Sequence, residues 1–194
     1  MLIAFSSILG RAGPLEAWVI CFLGSLGYEL NREIIENFSF DVGGSFSIFL
    51  FGSFMGLTVG VMRTFREGEG AETEKHENYT ANRFSASFAL IGTLVIWIFF
   101  PILVFDDADT AISQNGLYTG PYTVMFALAS STVAAIMMSL AFNGGRIGLR
   151  DLIYGSLAGG VIIGASANLL GSRMGVGLSL IIGFIGGFVN ITCN

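Results

Sequence analysis

Six apolar runs divide the chain: Pro14–Leu30, Gly43–Met62, Phe84–Phe105, Tyr122–Phe142, Leu152–Leu170 and Val176–Ile191. Each is near the roughly 20 residues that a helix needs to cross about 30 Å of hydrocarbon. Only 12% of the residues are charged against 53% hydrophobic, which is too little charge to coat a soluble domain. Lipid offers the backbone no hydrogen bonds, so runs of this length cross it as helices. The reading is an all-α, polytopic transmembrane helix bundle, integral to a plasma or organelle membrane and surrounded by lipid.

The opening Met1–Gly10 is also apolar, but about ten residues at 1.5 Å each reach only half a bilayer. It lacks the basic stretch and small-residue cleavage site of a signal peptide and is expected to be the tail of another helix. Its upstream part is then expected in a longer parent chain or in a partner. Lys and Arg divide by loop. One set of loops holds Arg11, then Arg63, Arg66, Lys75 and Arg83, then Arg146 and Arg150. The alternate set holds Arg32 and Arg173 among Glu33, Glu36, Asp41, Asp106, Asp107 and Asp109. By the positive-inside rule the first set is cytoplasmic or its organelle equivalent. Residues 64–83 form the one long hydrophilic stretch, too acidic and glycine-rich to bury a core, and are expected to link two helical groups, 1–63 and 84–194, of one transmembrane domain. The sole histidine, His76, lies in that linker, where plain solvation and a pH-sensing role are the two readings.

Inside the runs the notable residues are small. Gly52 and Gly56 follow one another at helical spacing, as do Gly155 and Gly159, Gly160 and Gly164, and Gly183 and Gly187. Such pairs let neighbouring backbones approach closely in a membrane. Pro14 and Glu16 mark a helix start. Pro101, near Trp97, frees a carbonyl one turn earlier, and such a break serves either a pore or a plain kink. Cys21 and Cys193 form no metal or disulfide pattern. The sequons Asn37-Phe38-Ser39, Asn78-Tyr79-Thr80 and Asn190-Ile191-Thr192 are short enough to arise by chance. No residue pattern points to an enzyme, a cofactor, a metal or a nucleic-acid partner: the acids sit in loops, the histidine is isolated and there is no basic footprint.

Four segments, in order, carry a resemblance: Met1-Leu2-Ile3-Ala4-Phe5 with Leu9-Gly10 and Pro14-Leu15; Asp41 to Leu57; Ala89 to Leu94 with Trp97 and Pro101; and Leu157 to Val161 with Gly164. Together they resemble the Rh glycoproteins of the ammonium transporter (Amt/Rh) superfamily. The resemblance implies two inverted helical repeats, pathways at the interface of the halves, and trimers with a pore in each subunit. This chain would then correspond to the end of the third core helix through the ninth, an incomplete Amt/Rh-like inverted repeat.

Rh-type pores pass neutral ammonia through an apolar tube lined by two histidines, because a bare cation in hydrocarbon costs several kcal/mol. Carried over by position, the acid before the pore helix is Asp41, which serves either the path or the helix N-terminus as a cap. The first pore histidine, five residues after the second glycine of Gly43-Gly44, is Phe49. The gate aromatic two residues beyond the proline is Leu103, unless Phe105 has taken that role. The resemblance therefore implies an ammonia, ammonium or carbon dioxide pathway through Asp41, Phe49, Leu103 and Phe105, impaired at Phe49, in a homotrimer or larger membrane complex. The alternative is a truncated, non-conducting Rh-like structural subunit of such a complex.

Overall fold

The computed structural model describes residues 2–7, 13–39, 41, 43–67, 83–105, 114–167 and 173–193. Most of the expected linker, with Lys75, His76 and Asn78, lies outside them, as do Arg11, Asp106, Asp107 and Asp109. The described residues form seven α-helices and no strand: α1 (Leu2–Ser6), α2 (Pro14–Phe38), α3 (Phe51–Glu67), α4 (Arg83–Phe105), α5 (Gln114–Phe142), α6 (Leu149–Ile163) and α7 (Arg173–Thr192). A π-helical turn, Ser45–Leu50, leads into α3, and a 3-10 turn, Gly164–Ser166, follows α6. Four helical stretches are long and apolar enough to cross a membrane: Ser45–Arg63, Phe84–Val104, Gly120–Phe142 and Gly175–Thr192. The other two expected spans are helical but depart from that profile. α2 runs on past Leu30 through Arg32, Glu33 and Glu36, with Arg32 and Glu36 paired at 2.7 Å, while α6 stops after 15 residues.

Two compact units arise, one from Met1–Phe40 with Phe46–Ala81, the other from Asp41–Ser45 with Asn82–Asn194. In the first, α2 and α3 are antiparallel. Glu16 pairs with Arg63 at 3.0 Å, Gly27 lies against the Phe51 ring, and Asn31 Nδ2 donates to Ser47 O at 3.4 Å, so one number falls as the other rises. The ion pair joins the first turn of α2 to the last turns of α3, where each charge also faces the favourable end of its helix dipole. α1 packs along α3 at Gly52 and Gly56: a Cβ at Gly52 would stand 3.1 Å from Ile3 Cβ, and one at Gly56 3.1 Å from Ala4 Cα.

In the second unit α5, α6 and α7 pack with α6 antiparallel to its neighbours. Gly155 meets Ala135, Gly159 meets Ser131, and Gly183 and Gly187 meet Ala127 and Ala134. Small side chains predominate on the buried side. The buried face of α5 is Val124, Ala127, Leu128, Ser131, Ala134, Ala135 and Ser139, while Met137, Phe142, Ile181 and Ile185 point outward. Lipid is as apolar as leucine, so burial gains nothing from hydrophobicity, and close approach of small residues decides which face turns inward. At the end of α5, Gly144 and Gly145 take φ of +61° and +85°, a conformation glycine adopts without steric cost, and Gly145 N–H bonds back to Leu140 O at 2.9 Å.

Candidate functional site

The segment Asp41–Ser45 leads into the phenylalanine-rich helix. Gly44 N–H bonds to Asp41 O at 3.3 Å, and Gly44 has φ +65°, so the turn requires glycine there. Gly43 lies on α6: a Cβ would stand 2.6 Å from Gly164 O and 2.7 Å from Gly164 Cα, which no side chain could accommodate. Ser45 Oγ donates to Val161 O at 2.6 Å and accepts from Ala165 N–H at 2.9 Å. The double glycine thus lets the chain lie directly on the end of α6, and the serine fastens it. Asp41 Oδ1 is buried in this turn.

Phe49 sits in the π-helical turn, half-buried, and its carbonyl accepts the Ser53 hydroxyl at 2.6 Å. A π turn holds more residues per turn than an α-helix and leaves carbonyls outside the i→i−4 ladder, and it recurs at functional sites. The Ser53 and Asn31 side chains supply donors to two carbonyls of this turn, those of Phe49 and Ser47. Nothing in the spacing of the sequence signals this wider turn, because it depends on the donors rather than on apolar periodicity.

The α4 residues divide by face. Leu103 is 67% exposed, whereas Phe100, Pro101 and Val104 are buried, and α4 runs through Pro101 as helix to Phe105. Phe100 lies on Gly160, with Cε1 2.7 Å from where a Cβ would stand. The inward-facing aromatic beside the proline is therefore Phe100, and the signal for it was the glycine pair opposite rather than the spacing from the proline. Gly155, Gly159 and Gly164 each have a neighbour under 3.0 Å from an added Cβ, namely Ala135 Cβ, Ala127 O and Ser45 Oγ.

Two further polar features surround α6. Ser131, fully buried on α5, donates to Gly155 O at 2.5 Å and accepts from Gly159 N–H at 3.0 Å. At the α6 N-terminus, Asp151 Oδ2 accepts from Ser139 Oγ and from Asn143 Nδ2, both at 2.8 Å, and Gly148 N–H donates to Ser139 Oγ at 2.8 Å. A carboxylate there faces the positive end of the helix dipole, so this cluster closes the α5–α6 turn. A groove of about 430 Å³ lies between α4, α5 and α6 beside Trp97. Its hydroxyls, on Thr93, Thr132 and Ser156, are bound to Ala89 O, Leu128 O and Ile153 O, so the groove presents an apolar wall with little to hold a cation. Among the described residues no three His, Cys, Asp or Glu side chains come together. Of the sequons, Asn37 lies in the last turn of α2 and donates to Glu33 O at 2.7 Å, and Asn190 lies within α7.

Known proteins share this architecture. The family model described as Ammonium Transporter Family matches residues 1–193. Ammonium transporter Rh type B of Bos taurus is 30% identical over 193 residues, covering 98% of this chain and 40% of that protein. Ammonium transporter Rh type A of the same organism is 32% identical, covering 98% of this chain and 43% of that protein. A solved structure, described as Nitrosomonas europaea Rh50 and the mechanism of conduction by the Rhesus protein family of channels, matches with a TM-score of 0.82 at 25% identity, over 98% of this chain and 48% of that one. The chain spans about two fifths of the length of the curated relatives it matches. It is an integral, multi-pass membrane protein that belongs to the ammonium transporter family.

Proposed function

We propose that this chain contributes to an Rh-type pathway for ammonia, with Asp41, Phe49, Leu103 and Phe105 as its path residues, and that Phe49 impairs conduction. The observation that carries the reading is the residue at position 49, a half-buried phenylalanine on the helix that follows the glycine turn. An ammonia molecule leaving water gives up its hydrogen bonds, and an imidazole nitrogen offers one back while a benzene ring offers none. A buried donor or acceptor left without a partner costs about 1–3 kcal/mol. A ring of that size also leaves little room for a file of small polar molecules. In this reading the protein works as a homotrimer or within a larger membrane complex, with ammonia or ammonium, or else carbon dioxide, as the permeant.

Stopped-flow uptake of ammonia into proteoliposomes holding the complete assembly tests this. The expected rate lies within about twofold of empty liposomes, since a single added barrier of 1.4 kcal/mol already slows passage about tenfold. A rate far above that background overturns the assignment of Phe49 as an obstruction. The second reading, a non-conducting structural subunit, draws support from the tight glycine contacts of α5, α6 and α7. It requires the chain to be recovered with partner subunits after mild detergent extraction, and recovery without them contradicts it.

A further inference from the structure

Two serine hydroxyls from outside α6 bond across steps of its ladder. Gly155 O and Gly159 N–H are the acceptor and donor of one i→i−4 step, and Ser131 Oγ bonds to both. Val161 O and Ala165 N–H are another such step, and Ser45 Oγ bonds to both. The outcomes differ. Past Ser131 the helix continues as α, whereas at Ser45 it tightens into the 3-10 turn Gly164–Ser166. A side chain inserted into the ladder is a recognised cause of a helix break. Ser131 comes from the long, packed α5. Ser45 comes from the short turn that carries Asp41 and is fixed at one end by Gly44 N–H to Asp41 O.

We propose that Ser45 is a positioning residue for Asp41, its hydroxyl seating the Asp41–Ser45 turn on the Val161–Ala165 step at the end of α6. Without the hydroxyl, Val161 O and Ala165 N–H lose their partner on the Asp41–Ser45 turn, and that turn loses both of these bonds to the end of α6. The functional weight of the proposal rests on Asp41 belonging to the ammonia path, but the seating itself does not, so the test below reads it without conduction.

The test is solid-state NMR on the whole chain in phosphatidylcholine bilayers. In the unaltered protein a cross-peak between the Ala165 amide proton and Ser45 Cβ is expected, and its absence overturns the proposal even if no variant folds. In Ser45→Ala, the Gly44 amide is expected to exchange about tenfold faster, the effect of one net hydrogen bond lost from the turn, and the Asp41 carboxyl carbon resonance to move. Ser45→Thr, which keeps the hydroxyl, is expected to restore both, and Ser131→Ala to leave both as they are. Unmoved Gly44 exchange and an unmoved Asp41 resonance in Ser45→Ala overturn the assignment. A Phe49→His chain that takes up ammonia no faster than the wild type while showing these signals would sink the pathway reading and leave the seating of Asp41 intact.

Discussion

Phe49→His is expected to raise ammonia uptake about tenfold in proteoliposomes of the complete assembly, the factor that corresponds to restoring one hydrogen-bonding partner worth about 1.4 kcal/mol to a polar molecule crossing an apolar tube. Phe49→Leu separates the two ways in which the ring could obstruct. Leucine removes the flat ring but supplies no nitrogen, so a gain with histidine alone assigns the barrier to polarity, and a comparable gain with leucine assigns it to bulk. Uptake unchanged in both variants would remove position 49 from the path. The Phe49 backbone carbonyl keeps its bond from Ser53 whatever the side chain.

Gly183→Ala is expected to cost about 3 kcal/mol or more, the upper range for forcing atoms into a packed interior, and to abolish a monodisperse species in size-exclusion chromatography. The added Cβ would meet Ala127 O, with Ala127 Cα at 2.7 Å and its carbonyl carbon at 2.8 Å. All three are backbone atoms of α5, so no rotamer change relieves them and the helices must part. Gly92→Ala and Gly177→Ala provide the contrast, because nothing lies within 4 Å of a Cβ at either position. Both are expected to be neutral or to stabilise by up to about 1 kcal/mol, since alanine forms helix better than glycine. A Gly183→Ala protein that melts with these controls would mean that α5 and α7 do not pack as closely as described.

Much of the fold was legible from length and composition. Runs such as Phe84–Phe105 and Tyr122–Phe142 announce themselves because a lipid-spanning helix must be apolar along its whole length. That same uniformity hid which side of each helix faces inward. Around α5, Ala127 and Phe126 are equally at home in hydrocarbon, and only the glycines opposite distinguish the buried one from the other. The proline of α4 drew attention to Leu103, two residues on, whereas the side chain that meets Gly160 belongs to Phe100, one residue before. Counting from a proline gives a position along the chain, but the direction a side chain takes also depends on the helix packed against it. The seats of Ser45 and Ser131 in the ladder of α6 were not legible, because a serine inside an apolar run ordinarily bonds its own preceding turn. Thr93 and Thr132 do so here. The positions along the chain resembled the family's pattern; the hydrogen-bond partners emerged only from the folded chain.

The glycine seams also set which mutations can be undone by another. At Gly155 the atom in the way is Ala135 Cβ, 2.6 Å from an added methyl, and Ala135→Gly deletes that atom, so a lesion at 155 has a suppressor one substitution away. At Gly183 the obstruction is the Ala127 main chain, which every amino acid carries alike, so no replacement at 127 makes room. Two glycines in the same three-helix core therefore differ in evolutionary terms. One belongs to a pair that can drift together, and the other is a position from which a lineage returns only by reversion.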